Sequence, residues 1–331
     1  MNIDSVRELK QSLVQSQVEP MAFAAGKVST LAVAAKPSRD LTPFRRSVAL
    51  GVAPGKSGKD FRLAVRIQSR GVEGSAELER IRKAAKGEVE ERFVGRVFKR
   101  AAPLRSRRRP LVIGCSIGHF RITAGTLGCF VSTKSGQRRA LSNNHVLADE
   151  NRGKKGDAVI QPGDFDGGTR PSDTMGALDR FVRLKKTAPN LVDAALATIR
   201  AGIAIDETTL DGLGDLQGVS TAPLGVGMDV HKVGRTTGTT SGRITAFELD
   251  NVVVTYDIGD LRFDDQVEIE GAGSGPFSRG GDSGSLIVDE GFRAVALLFA
   301  GGETGGGNGQ GLTFANPIGA VLAALRVTLL P

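Results

Sequence analysis

The sequence is poor in the residues that bind metals or cross-link small proteins. Its 331 residues include two cysteines, Cys115 and Cys129, and three histidines. Two thiols cannot form a disulfide framework or a four-thiolate zinc site. A chain of this length also buries enough surface to fold without either. We therefore expect no metal and no cofactor.

Aromatic residues and long apolar segments are also scarce. One tyrosine and no tryptophan are present, so few side chains can stack on nucleic-acid bases. No segment approaches the roughly 20 apolar residues of a membrane-spanning helix. The first residues, MNIDSVRELKQ, lack the basic and then apolar pattern of a secretory signal. We expect a cytoplasmic protein without a transmembrane segment.

What the sequence does contain is a globular composition with unevenly distributed charge. Hydrophobic residues make up 40% and charged residues 24%, which is typical of about two folded domains. Residues 1–110 hold 24 Lys and Arg against 11 Asp and Glu, a net charge of +13, and residues 111–331 hold 20 against 25, a net charge of −5. The split predicts two units with different partners. The basic unit is either a plain solvated surface or a site for a protein or anionic partner.

The first part of the chain alternates between helical and strand patterns. The predicted elements are a helix over 5–16 that begins with a capping box at Ser5, strands over 47–52 and 61–67, a helix over 75–86 and a strand over 89–98. They predict a small basic α/β domain over residues 1–98. Residues 99–110 form a basic linker that ends at Pro110. The alternative is a cleavage site before Leu111, which a proline beside the bond disfavours.

From residue 111 to 331 the pattern changes to short alternating apolar runs separated by Gly, Asn and Asp. This spacing is typical of a β-barrel or β-sandwich. Asn316 followed by Pro317 predicts an N-cap and first turn for one helix through Leu325. The fold class expected for this region is mainly β.

Two segments place a titratable residue in an apolar setting. His145, in the segment Leu141–Leu147, lies at the end of a predicted apolar strand, where an imidazole can project into a cleft; the alternative is a structural histidine. Asp193 lies inside the apolar run Leu191–Ala197. A buried carboxylate needs a hydrogen-bond donor, so its expected partner is a histidine or an arginine, or else it occupies a turn.

A third segment, Gly280–Ser285, has the sequence GGDSGS and precedes the apolar strand Leu286–Val288. Small residues around Ser283 let backbone N–H groups converge on one point, as an oxyanion hole requires. The alternative is a plain glycine turn. Ser283 is the candidate nucleophile, and the amides of Gly281 and Ser283 are the candidate oxyanion donors.

The three residues follow one another in the order His, Asp, Ser, which is the order of a known catalytic triad. A serine hydroxyl is a poor nucleophile near neutral pH and needs a base. His145 would remove its proton, and Asp193 would orient the imidazole and stabilise its charged form.

These motifs resemble those of the chymotrypsin-fold, trypsin-like serine proteases. The resemblance rests on GDSGS at 281–285, HV at 145–146, VGRTTG at 233–238 and SGRI at 241–244. It is similar in particular to cytosolic trypsin-like peptidases such as the plant narrow-leaf proteins. The resemblance covers residues 111–331. It implies two six-stranded barrels with the triad between them and a polypeptide substrate.

The sequence departs from that family before the histidine, where Asn143 and Asn144 replace the usual small residues, and at two further places. Secreted members have a disulfide where this chain has His231 and Ser241, which agrees with a reducing compartment. Many animal members select Lys or Arg with an aspartate where this chain has Phe277. We expect a shallow or apolar substrate pocket lined by Phe277, Gly301 and Gly302.

The sequence thus predicts a serine endopeptidase that works through an acyl-enzyme. One alternative is a protease fold that serves as a binding or regulatory scaffold with little hydrolytic activity. A second is an α/β-hydrolase elbow at Ser116, with Asp193 and His231, but the residues after Ser116 alternate like a strand instead of forming the required helix.

Overall fold

The computed structural model describes residues 1–18, 47–55, 60–94 and 104–330. The chain divides into two compact units, Met1–Lys99 and Arg100–Pro331, and each is described by itself. Within the described ranges, no helix is long and apolar enough to cross a membrane.

The first unit is a three-stranded sheet with two helices. Its elements are α1 (Ile3–Leu13), a π-helical turn (Val14–Val18), β1 (Val48–Pro54), β2 (Phe61–Ile67), a 3₁₀ turn (Arg70–Val72), α2 (Ala76–Ala84) and β3 (Val89–Phe93). Strands β1 and β2 pair antiparallel, and β2 and β3 pair parallel through α2. The helices bury Val6, Leu78 and Ile81 against Leu63 and Val65.

The predicted elements of this unit are present with shifted ends. Helix α1 begins earlier than the Ser5 capping box predicts, because the side chain of Asn2 accepts the Ser5 N–H and caps the helix. The side chain of Ser75 caps α2 by accepting the Leu78 N–H. The predicted strand over 89–98 ends at Phe93, and residues 95–98 lie outside the described residues.

The second unit is mainly β, and its first half is built around an eight-stranded sheet, to which this half contributes seven strands and the end of the chain the eighth; four short strands of this half form two separate pairs. Its elements are β4 (Leu111–Val112), β5 (Ser116–His119), β6 (Gly125–Thr126), β7 (Cys129–Thr133), β8 (Arg138–Ser142), α3 (Asn144–Leu147), β9 (Ala158–Ile160), a 3₁₀ turn (Asp164–Asp166), β10 (Thr174–Phe181), β11 (Ala195–Thr198), β12 (Ile205–Asp206), β13 (Thr209–Leu210) and β14 (Gly214–Asp215).

The second half is a closed six-stranded barrel. Its elements are β15 (Asp229–Gly234), β16 (Gly238–Leu249), β17 (Val252–Tyr256), β18 (Gly259–Phe263), β19 (Gln266–Gly271), β20 (Leu286–Asp289), β21 (Ala294–Gly301), β22 (Leu312–Pro317), α4 (Ile318–Leu325) and β23 (Val327–Leu329). The barrel order is β15-β16-β19-β22-β21-β20, and the sheet order of the first half is β23-β7-β8-β11-β10-β9-β5-β6.

This architecture confirms the predicted fold class, a mainly β, two-barrel chymotrypsin-like region preceded by a smaller α/β region. The first half differs from the expected six strands, because the last strand, β23, returns to pair with β7 and the short β6 pairs with β5. Alternation of apolar residues places Val230, Ile244 and Ile269 inside the barrel.

The cap predicted for the terminal helix is wrong. The N-cap of α4 is Pro317, and no side chain caps the helix. The side chain of Asn316 instead accepts a hydrogen bond from the Asp193 N–H and donates one to Gln266. The local sequence predicts that the Asn316 side chain caps the helix, but in the folded chain it binds the buried backbone N–H of Asp193 instead.

The basic segment packs on the second unit where the structure describes it. Leu104 is buried in the hydrophobic core, and the Arg105 guanidinium donates to the carbonyl of Arg235 at 3.2 Å. Leu111, the residue after the proposed cleavage point, is fully buried, and its strand β4 pairs with β12. A protease would need local unfolding to reach that bond.

Candidate active site

His145 lies in the first turn after strand β8. Strand β8 ends at Ser142, and α3 begins at Asn144. The backbone N–H groups of Asn144 and His145 donate to Oδ1 of Asp193 at 2.5 and 3.3 Å. The turn therefore anchors both the backbone and the side chain of His145 to the same carboxylate.

Asp193 is fully buried just before strand β11. Its Oδ2 accepts from Nδ1 of His145 at 2.6 Å and from the Tyr256 hydroxyl at 2.7 Å. Its own N–H donates to Asn316, and its carbonyl accepts from the Asn143 side chain. Of the partners considered for this carboxylate, the structure places a histidine there, together with three further donors.

The charge of Asp193 determines the titration of His145. Burial lowers the pKa of the imidazole, but the charge and hydrogen bond of Asp193, together with the charge of Glu150, outweigh it, and the net pKa is raised. Because Nδ1 faces Asp193, Nε2 is left for other partners. Within the described ranges, Nε2 has no hydrogen-bond partner, and the side chain is 22% exposed.

Ser283 lies in a tight loop before strand β20. The Asp282 N–H donates to the Arg279 carbonyl, and the Ser285 N–H donates to the Asp282 carbonyl, both at 3.0 Å. Gly281 has a φ of +92°, and a Cβ there would lie 2.1 Å from a guanidinium nitrogen of Arg235. Only glycine fits this position.

The amides of Gly281 and Ser283 donate no hydrogen bond to any described residue. The Gly280 carbonyl, which shares its peptide with the Gly281 N–H, accepts from the Thr236 hydroxyl at 2.9 Å. The Asp282 carbonyl, which shares its peptide with the Ser283 N–H, accepts from the N–H and the hydroxyl of Ser285 at 3.0 and 2.7 Å. The loop therefore holds two oriented peptides whose N–H groups are unused by the described residues, and unused backbone donors are what an oxyanion hole requires.

The Ser283 loop meets the His145 turn at Gly125. The Thr126 N–H donates to the Ser283 carbonyl at 2.8 Å. A Cβ on Gly125 would lie 2.4 Å from the side chain of Val146 and 3.1 Å from the Ser283 carbonyl oxygen. The residue after His145 and the backbone of Ser283 thus touch the same glycine. Among the described residues, the Ser283 hydroxyl makes no hydrogen bond.

The buried ion pair of Lys232 and Asp282 supports the loop that carries Ser283. Asp282 accepts from the Thr236 N–H at 2.8 Å and the Thr237 hydroxyl at 2.7 Å. The ammonium of Lys232, fully buried like Asp282, lies 3.4 Å from the same carboxylate. Burial lowers the pKa of Lys232, and Asp282 counteracts this. Removing either partner would leave an uncompensated buried charge.

A cavity of about 690 Å³ opens beside Ser283. Gly301 and Gly302 line it as predicted, but Phe277 is buried in the barrel core and does not. The lining combines polar and apolar side chains, among them Ser278, Arg279, Leu298, Glu303 and Gln310. The pocket is more polar than the sequence indicates, because Phe277 points into the core.

Sequence reasoning missed Tyr256 and Asn316 as partners of Asp193. Both belong to the second half of the unit, more than 60 positions from Asp193 in the chain. The one available signal for Tyr256 was its uniqueness, since it is the single tyrosine of the chain.

Metal ligands and reactive thiols do not gather near this site. The described residues contain no group of three or more His, Cys, Asp or Glu side chains that could hold a metal ion. Cys115 and Cys129 are both buried, and burial raises the pKa of Cys115 to about 12.

Comparison with known structures finds chymotrypsin-fold serine proteases. A glutamic acid specific serine protease is 23% identical over 66% of this chain and 100% of its own, with a TM-score of 0.47. Nocardiopsis protease is 21% identical over 67% and 99%, with a TM-score of 0.47. The α-lytic protease homologue N4 is 22% identical over 66% and 99%, with a TM-score of 0.46. No family model matches the sequence, and no curated protein does.

Proposed function

We propose that residues 111–331 form a serine endopeptidase with Ser283 as nucleophile, His145 as general base and Asp193 as the group that orients it. The observation that carries the proposal is the 2.6 Å contact between Nδ1 of His145 and the buried carboxylate of Asp193. It leaves the other imidazole nitrogen, Nε2, without a hydrogen-bond partner among the described residues and so free to take a proton from Ser283.

The reaction proceeds through an acyl-enzyme. The Ser283 oxygen attacks the carbonyl carbon of a peptide bond while its proton passes to Nε2 of His145. The amides of Gly281 and Ser283 donate to the oxyanion, and each such donor is worth roughly 3 kcal/mol in the transition state. His145 then protonates the leaving amine, and water, deprotonated by His145, hydrolyses the ester.

The substrate is a polypeptide whose residue before the cleaved bond enters the cavity beside Ser283. The polar lining supplied by Ser278, Glu303 and Gln310 favours a side chain that accepts or donates hydrogen bonds.

We keep as further proposals the likeness to cytosolic trypsin-like peptidases, the cytoplasmic location, and the division into a basic α/β domain (1–98), a linker (99–110) and a protease domain (111–331).

Covalent labelling tests the nucleophile. We expect an organophosphonate probe to label the native chain and to fail on Ser283→Ala and His145→Ala. Turnover of a peptide substrate falls by roughly four orders of magnitude or more in both variants. Ser274→Ala, which removes an exposed serine, is the matched control and keeps full labelling. Labelling that survives in Ser283→Ala would place the nucleophile elsewhere.

The second candidate function is a binding scaffold without hydrolysis. It is favoured by one observation: no described residue, His145 included, hydrogen-bonds the Ser283 hydroxyl. Cleavage of casein or of a peptide library by the wild type, lost in Ser283→Ala, decides for the endopeptidase. Tight peptide binding without cleavage decides for the scaffold.

A further inference from the structure

The hairpin formed by β17 and β18 extends from the barrel between β16 and β19. Five residue pairs join its strands, from Val252 with Phe263 to Tyr256 with Gly259. The Asn190 N–H donates to the Arg262 carbonyl of the hairpin, and the Asp264 N–H donates to the Asn190 carbonyl, both at 2.9 Å. The hairpin therefore lies against the segment that leads to Asp193.

Tyr256 ends the first strand of this hairpin and reaches the candidate triad. Its hydroxyl donates to Oδ2 of Asp193 at 2.7 Å, the same oxygen that accepts from His145. Its ring meets the imidazole edge-on, with centroids 5.8 Å apart and planes at 72°. Burial, followed by the negative charge of Asp193, raises the pKa of the phenol well above its ordinary value. The hydroxyl thus stays protonated and remains a donor.

Tyr256 is held by its ring and by the turn that follows it. The ring stacks on Phe263 at 6.0 Å, and Phe263 packs against Phe299 at 4.7 Å. The turn is held by Glu150, whose carboxylate accepts from the Asp257 and Ile258 N–H groups at 3.2 and 3.0 Å. The hydroxyl is therefore preorganised before any substrate binds.

We propose that Tyr256 is a positioning residue that fixes the carboxylate of Asp193 and, through it, the imidazole of His145. This inference rests on the proposed function. With Tyr256 in place, each carboxylate oxygen has two donors, and rotation of the carboxylate would break four hydrogen bonds. Without the hydroxyl, one lone pair of a buried anion loses its donor, and the carboxylate gains freedom to move.

The test is Tyr256→Phe, which keeps the ring and removes only the hydroxyl. We expect kcat for a peptide substrate to fall by about tenfold, as for one lost charge-assisted hydrogen bond, with KM unchanged. The groups that face His145 are Asp193, Glu150 and Tyr256. Loss of the hydroxyl leaves more of the Asp193 charge for the imidazole, so the midpoint of the pH profile of kcat/KM moves to higher pH.

Two further measurements separate positioning from structure. Ser220→Ala removes a 2.7 Å hydrogen bond from a hydroxyl to a carboxylate, that of Asp289, away from the site; it is the matched control and keeps the wild-type kcat and pH profile. In a Ser283→Ala background, NMR titration of His145 reports the same upward shift for Tyr256→Phe without any need for turnover.

The outcomes distinguish this inference from the proposed function. Wild-type kcat, pH profile and imidazole titration in Tyr256→Phe would overturn the role of Tyr256 while leaving the triad intact. Full activity of Ser283→Ala would overturn the proposed function itself. An equal loss in Ser220→Ala would assign the effect to general stability and also overturn the positioning role.

Discussion

At the scale of single residues, Asp193 shows why burial and function are coupled in this cleft. A fully buried carboxylate costs several kcal/mol unless donors surround it, and this one has four donors to its oxygens. The folded chain thus stabilises the negative charge of Asp193, and that charge in turn stabilises the protonated imidazole of His145. The same contacts raise the pKa of His145 above its ordinary value of 6.5.

This shift predicts the pH dependence of activity. The base must be neutral, so kcat/KM rises with pH through the raised pKa, with a midpoint above pH 6.5. Glu150→Gln removes a charge that raises the pKa, and we expect the midpoint to move to lower pH. Steady-state kinetics across pH measure both; a midpoint in Glu150→Gln equal to or above that of the wild type would contradict the assignment.

The same shift has a thermodynamic counterpart. A folded-state pKa above the unfolded one means that protonated His145 stabilises the folded chain at acidic pH. That contribution is complete below the unfolded value and is lost as pH rises through the raised value. The proposed base is neutral His145, so the folded chain lacks the stabilisation by protonated His145 at the pH at which the base would act.

At the scale of elements, the loop before β20 depends on its glycines and on what lies beneath it. Gly281 and Gly284 both have φ above +90°, a region that other residues enter only with strain. Beneath the loop, the buried pair of Lys232 and Asp282 holds the turn. Ser283, the proposed nucleophile, is therefore placed by backbone conformation and not by hydrogen bonds of its own side chain to described residues.

Substitution of two neighbouring glycines tests this view. Gly281→Ala brings a Cβ against Arg235 at a positive φ, and we expect a loss of about 1–3 kcal/mol in the free energy of unfolding. Gly280→Ala meets nothing within 4 Å and stays within about 0.5 kcal/mol of the wild type. Urea unfolding of both variants measures the difference; equal stabilities would contradict the strain argument.

At the scale of the whole molecule, charge and chemistry belong to different parts of the chain. The excess of positive charge lies in residues 1–110, and the candidate triad lies beyond residue 140. Part of the basic charge is used inside the first unit, where Arg66 and Arg92 contact Glu90, and Arg82 contacts Glu91. Any affinity of residues 1–110 for polyanions would be electrostatic.

An anionic partner of the basic unit would bind in a salt-dependent way. Of the two alternatives for residues 1–110, an anionic partner predicts that the 331-residue Ser283→Ala protein binds DNA, RNA or vesicles of acidic lipid at low ionic strength, whereas a plain solvated surface predicts no binding. Affinity should fall steeply as salt is added, because counterions are released on binding. Absence of binding to all three at low salt would remove this proposal.

The sequence by itself determined the features that depend on local pattern. Alternation at period two and frequent turn residues predicted the mainly β second unit, and the helices and strands of the first unit were predicted to within a few residues. The motifs also singled out His145, Asp193 and Ser283, because a histidine after a strand, a lone acid in an apolar run and a serine among glycines are local anomalies.

Only the tertiary structure decided which distant groups complete the site. It assigned Asn316 to Asp193 instead of a helix cap, turned Phe277 into the core and brought the single tyrosine onto the buried carboxylate. These outcomes follow from strand pairing across many residues, where the energy of satisfying a buried charge exceeds any local preference. No pattern along the chain encodes the contact of Tyr256 with Asp193, because the two residues become neighbours only when the hairpin packs against the segment that leads to Asp193.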